Sequence, residues 1–226
     1  MTEYVTASDL AAIKTIFREG DEEARLTAVR RLVHQPETPE DRELVLEALI
    51  EVMGDESWQV RKEAVAAVLS WTDAELLAER LVDAMSEPED IGRRNAVIEA
   101  VMKLGAVTID PLLRALARKP DYRKVLVDVL GTFGDTRVIP ALGESLLDDD
   151  PNVRAAAMEQ LASFQSHEVV PALRQALRSQ DLLVVLAALD GLNRQRVAIP
   201  VAELLPMAEQ TVLRPALMTA LGHSQD

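Results

Sequence analysis

Four prolines in the second half of this 226-residue chain, Pro111, Pro140, Pro171 and Pro200, fall 29, 31 and 29 residues apart. Each follows short apolar residues and precedes another apolar stretch, as in Val138-Ile139-Pro140-Ala141-Leu142 and Val169-Val170-Pro171-Ala172-Leu173. Proline fits the first turn of a helix, because the N–H it lacks would have no intrahelical acceptor there. Helix starts at a fixed period of this length describe stacked helical units, each touching its neighbours, rather than one globular core. Every long apolar pattern has a period near 3.6 and none alternates, so strands are not expected.

Composition suits such a stack. Hydrophobic residues make up 48% of the chain but aromatics only 3%, so Leu, Val, Ala, Ile and Met must fill the core. There is no cysteine, which excludes a disulfide framework, a thiolate nucleophile and sulfur ligands for a metal. Met1 to Leu10 contain no basic segment followed by an apolar run, and no stretch approaches membrane-spanning length. We therefore expect a cytoplasmic protein with no membrane association. The net charge of −14 is uneven: residues 1–110 hold 24 acids against 12 bases, leaving 14 against 12 in residues 111–226. An acidic chain repels phosphate backbones, which argues against nucleic acid as a partner.

A second marker precedes each proline-led helix: an arginine in an alanine-rich helix, at Arg25, Arg61, Arg93, Arg123, Arg154 and Arg214. In most copies apolar residues lie three and seven positions later and make one face. An acid stands six positions before four of them, in the pairs Glu19/Arg25, Asp55/Arg61, Glu87/Arg93 and Asp148/Arg154. Each unit is thus a helix A with the arginine, a turn, and a helix B. We place an N-terminal capping helix in 1–19, and six pairs near 20–53, 54–85, 86–117, 118–147, 148–178 and 179–205. A partial seventh unit, 206–226, holds a lone A-type helix. Thr38–Asp41 and Thr72–Glu75 read as helix-capping boxes, and Gly105 and Gly134 as left-handed helix ends. The chain stops after that lone A helix, which predicts either self-association through this end or a longer array.

The run Asp148–Ala157, Asp-x-x-x-Asn-Val-Arg-x-Ala-Ala, with Val169–Leu173 and their weaker copies, resembles the HEAT-repeat superfamily, in particular its short-repeat branch named after phycobiliprotein lyases. The resemblance covers nearly the whole chain. It implies an all-α, right-handed solenoid of stacked helix pairs, with B helices on the concave side. It also implies a structural acid–arginine ladder through Arg25, Asp55, Arg61, Arg93, Asp148 and Arg154. The sixth unit departs from it, with Leu182-Leu183-Val184-Val185 where the arginine belongs, and the fourth has Ala117 in place of the paired acid. Deoxyhypusine hydroxylases, a similar family, build a di-iron site from repeated His-Glu pairs. Here His167-Glu168 occurs once and cannot assemble that site.

No catalytic constellation stands out. His34, His167 and His223 share no helical metal-ligand spacing, and phosphate loops and nucleophile elbows are missing. No catalytic residue, metal or cofactor is expected. Trp58 and Trp71 read as core residues, and Met53 and Met85 as core gap-fillers. The B-helix surfaces carry a charge pattern. Glu43, Glu47 and Glu51 form one stripe, repeated 32 residues later by Glu75, Glu79 and Asp83. Arg114 and Arg118 follow Pro111 at +3 and +7, with Lys119 alongside, and Arg174 and Arg178 follow Pro171 at the same offsets. Gly143, after Pro140, reads as a slot between the arginine pairs. These residues form the expected partner site.

The sequence therefore predicts a non-catalytic scaffold or adaptor that binds a protein partner on its B-helix face. The alternative suggested by the resemblance is a lyase- or chaperone-type factor for tetrapyrrole-bearing proteins, although few aromatics are present to flank a flat ligand.

Overall fold

The computed structural model describes residues 7–85, 91–164 and 166–224, and every regular element among them is helical. Two compact units divide the chain, Met1–Ala115 and Leu116–Asp226. In the first, α1 (Ala7–Glu19) packs against α2 (Glu22–Arg31) and α3 (Pro39–Val52). There follow α4 (Trp58–Leu69), α5 (Ala74–Ala84), α6 (Ile91–Leu104) and α7 (Ile109–Arg118), which begins in this unit. The A helices pack in series, α2 on α4 and α4 on α6, while α3 and α5 form the B layer. The second unit repeats the arrangement with α8 (Arg123–Thr132), α9 (Ile139–Ser145), α10 (Pro151–Ser163), α11 (Val170–Ala176) and α12 (Leu182–Arg194). It ends in α13 (Val201–Leu204) and α14 (Arg214–His223). Here α8, α10, α12 and α14 form the A series, and α9 packs on α11.

The proline period does what its chemistry dictates. Pro111, Pro140 and Pro171 lie in the first turns of α7, α9 and α11, and Pro200 caps α13. Short 3₁₀ turns, Gly105–Thr108, Thr136–Val138 and His167–Val169, lead into three of these helices. Gly105 and Gly134 take φ values of 75° and 62°, a backbone that a side chain would strain. Thr38 caps α3 as expected, accepting from the Asp41 N–H. At α5 the cap sits one residue later than expected: Asp73 accepts from the Leu76 N–H, because the Thr72 N–H and hydroxyl are already held by Gln35.

The buried side chains are mostly aliphatic, with Met53 and Met85 filling the ends of α3 and α5. Trp71 is buried, its indole N–H 3.4 Å from the Leu32 carbonyl. Trp58 overturns the expectation of a core residue, since it is 60% exposed at the start of α4. Gly143 is likewise no slot: it is buried, and a Cβ there would stand 2.9 Å from the Ala172 Cβ, so α9 and α11 touch at this point.

The arginine ladder exists, but its rungs run differently from the six-residue pairing. A helical side chain leans toward its own N-terminus, so each arginine near a helix start reaches the carbonyls just upstream. Arg61 Nη1 donates to the Asp55 and Glu56 carbonyls at 2.6 and 3.0 Å, and Arg154 Nη1 to those of Asp148 and Asp149 at 2.9 and 3.0 Å. The acid side chain is taken by the arginine of the preceding unit. Arg25 meets Asp55 at 2.8 Å, Arg123 meets Asp148 at 2.8 Å, and Arg154 meets Asp181 at 2.7 Å. The other oxygen of each carboxylate accepts a local N–H, from Ser57, Asp150 or Leu183. Glu87, the acid paired with Arg93, lies outside the described residues. The ladder continues into the sixth unit through Asp181, although Val185 occupies the arginine position there.

Hydrogen bonding from Arg154, joined by the Leu183 N–H, holds the Asp181 carboxyl below its usual range. A depressed carboxylate stabilises the fold fully above the unfolded value near 4 and loses that stabilisation as pH falls through the folded value. Arg154→Ala should therefore cost about 1–2 kcal/mol at neutral pH, a discounted charged hydrogen bond, and flatten the acid limb of stability below pH ~4, read by urea melts across pH. Gly143→Leu should cost about 1–3 kcal/mol by overpacking the α9–α11 contact, read as a lower thermal midpoint.

Candidate functional site

The B-helix charges meet one another instead of forming separate patches. Arg114 on α7 pairs with Glu79 on α5, Arg80 on α5 reaches Glu43 on α3 at 3.3 Å, and Lys14 on α1 lies 3.8 Å from Glu51. Arg42 adds a 3.3 Å pair to Asp73. The acidic stripes and the basic position after Pro111 are thus partners across neighbouring helices, and such exposed pairs contribute at most about 1 kcal/mol each. Glu47, Glu75 and Asp83 are exposed along the same helices.

The remaining arginines of the expected site belong to the second unit. Arg118 is exposed and Lys119 half-buried at the end of α7. Arg174 Nη2 donates to the Ala198 carbonyl at 2.9 Å, so this side chain ties α11 to the approach of α13. Arg178 is exposed, and with Pro171, Arg174, Gln175 and Glu203 it lines a hollow of about 440 Å³. With Gly143 buried, the arginine pairs are not joined by a slot.

The A-helix side carries a feature that the sequence reading missed. Between α4 and α6 lies a hollow of about 380 Å³, lined by Trp58, Lys62 and Val65 on one wall and by Gly92, Ala96 and Glu99 on the other. Between α10 and α12 lies a larger groove of about 710 Å³, with Pro151, Ala155 and Met158 facing Leu183, Ala187 and Asp190. On α4 and α10 three positions match. Trp58 and Pro151 open their helices, and further wall residues stand four and seven places on in both. On the partner helices the walls differ: Gly92, Asn95, Ala96 and Glu99 line the first hollow, and Leu183, Val184, Ala187, Asp190, Asn193 and Arg194 the second. A hollow between neighbouring A helices thus exists in each unit, with a Lys62–Trp58 cation–π contact of 5.7 Å along the α4 wall of the first. Leu183 is 74% exposed beside the second. The signal was present in Leu182–Val185, visible in the sequence only as a missing arginine.

His34 and His167 are exposed, and no group of three or more His, Cys, Asp or Glu residues stands close enough to hold a metal among the described residues. No helix among them is long and apolar enough to cross a membrane.

Comparison with known proteins agrees with this architecture. The family described as HEAT repeats matches residues 10–102 and 109–193. No curated protein matches the chain. Among solved structures, the crystal structure of an engineered protein from the Northeast Structural Genomics Consortium is similar at 17% identity and a TM-score of 0.38, over 95% of this chain and 96% of that one.

The two tryptophans should separate cleanly. Trp71→Ala should cost about 3–5 kcal/mol as a cavity in the core, whereas Trp58→Ala should change stability by no more than about 1 kcal/mol. Trp58→Phe should also remove the red-shifted, iodide-quenchable part of the emission, leaving the blue-shifted light of Trp71.

Proposed function

This chain belongs to the HEAT-repeat family, a fold commonly used as a protein-interaction scaffold, and from that premise we propose that it is a non-catalytic adaptor holding a segment of a protein partner. The observation that carries the reading is a hollow between neighbouring A helices in each unit. A repeat protein binds a partner segment on the exposed faces of its stacked helices, and each of these hollows offers apolar walls with charged rims. The charged groups with defined partners are engaged in holding helices together: the ladder on one side, the Glu79–Arg114 and Glu43–Arg80 pairs on the other.

A second surface has an observation of its own. Arg174 and Arg178 line the hollow beside Glu203, and Arg174 Nε is buried with no acceptor, a donor that a partner carboxylate would satisfy. The tetrapyrrole alternative draws no support, since Trp58 is the one aromatic among the lining residues of these three hollows and a flat macrocycle needs flanking rings.

Photo-crosslinking tests the proposal. A photoreactive residue at position 62, 155 or 178, used in extracts of the native organism, should trap a discrete protein at one surface and not at the others. The scaffold reading fails when all three positions give only the diffuse background seen with a residue placed on the exposed 3₁₀ turn at Thr136.

A further inference from the structure

We infer that the groove between α10 and α12 docks an amphipathic helix of a partner protein, one that buries aliphatic side chains in the groove and carries Lys or Arg beside them. This rests on the scaffold reading and names its site and the chemistry of its ligand.

The shape comes first. The lining runs from Pro151 to Ala162 on α10 and from Leu183 to Arg194 on α12, an advance of 11 residues on each wall. At the helical rise this is about 16 Å, or three turns of a guest helix. Ala155, Ala162 and Ala187 keep the walls low, so another backbone can approach closely, while Met158 and Val184 supply an apolar floor. Leu183 stands at one end with three-quarters of its surface in water. An aliphatic face with residues at i, i+4 and i+7 is the complement of such a trough.

Charge selects the guest. Of the rim acids, Asp181 is already paired with Arg154. Glu159 and Asp190 are exposed and make no ion pair among the described residues. That sets them apart from Glu79 and Glu99, which are also exposed and each hold a neighbouring base. Arg194 stands on the same rim as its one base, with no acid partner among the described residues. Against it Glu159 and Asp190 still leave the trough acidic, which favours a basic guest and disfavours an acidic one. The same argument disfavours a second copy of this chain, which carries a net charge of −14.

The test uses the full chain and four designed 16-residue peptides labelled with fluorescein, read by anisotropy. The first carries leucines at i, i+4, i+7 and i+11 with flanking lysines; the second has the lysines changed to glutamate; the third has the leucines changed to serine; the fourth is a scramble. The first should bind with a Kd in the micromolar range and at least tenfold more tightly than the others. Ala155→Gln with Ala187→Gln, which fills the trough, should weaken it tenfold or more. Leu183→Asp should do the same, and as an exposed site it leaves the fold intact by circular dichroism. Glu159→Lys with Asp190→Lys should reverse the preference between the lysine and glutamate peptides. The inference is overturned when the glutamate or serine peptide binds as well as the first, or when folded groove variants bind it unchanged. It is also overturned when sedimentation shows self-association that the Gln variants abolish, since the occupant is then a second copy. A native partner trapped at position 178 and indifferent to these variants would sink the groove while leaving the scaffold reading standing.

Discussion

The structure depends on a carboxylate with two duties. In Asp55, Asp148 and Asp181 one oxygen accepts an N–H from the turn that starts an A helix, and the other receives the arginine of the preceding unit. Of these arginines, Arg25 and Arg154 also donate to carbonyls upstream of their own helices, those of Gly20, Asp148 and Asp149. Although the Nε of Arg25 and of Arg154 makes no hydrogen bond, each joint between units therefore consists of charged hydrogen bonds. Burial of ionised groups is tolerated only under that condition, because an unpaired charge at the same depth would be strongly destabilising. Backbone caps and inter-unit contacts are made by the same atoms, so a helix start and its docking form together.

Around these joints the packing is aliphatic and close. A core mostly of Leu, Val, Ala, Ile and Met has few polar atoms to satisfy, and it lets small residues set the spacing of the helices. Gly143 beneath Ala172 is one such contact, with no room for a Cβ between α9 and α11. Alanines at Ala155 and Ala187 do the opposite on the A-helix side. There no neighbouring side chain fills the space they leave, and a trough remains.

Electrostatics divides the surfaces in the same way. On the B helices of the first unit, acids and bases of successive helices find one another, and the stripes seen in the sequence become a seam. At the α10–α12 groove Asp181 is paired with Arg154, but Glu159 and Asp190 make no ion pair among the described residues. Paired charges at a surface contribute little and attract little, whereas unpaired ones beside apolar area are what a ligand can use. This contrast, rather than the amount of charge, separates a structural surface from a binding one.

Much of the fold was legible in the chain itself. Pro111, Pro140, Pro171 and Pro200 announced the B helices, and Gly105 and Gly134 their preceding turns, because proline and glycine act through the local backbone alone. The arginines were legible as markers for the same reason: a side chain leaning toward its helix start must meet the nearby carbonyls. Which acid each arginine takes was not legible. The six-residue spacing suggested Asp148 for Arg154, but the stacking of units brings Asp181 to it instead and gives Asp148 to Arg123. Gly143, Trp58 and the Glu79–Arg114 pair were misread on the same ground, since each depends on what the neighbouring helix presents. The groove at Leu183 shares that origin: it exists only because two A helices, α10 and α12, lie side by side. Local backbone chemistry thus determined the elements and their order. The tertiary structure alone decided the partners of the charged side chains and the surfaces left open, because both arise between units separated by some thirty residues of chain.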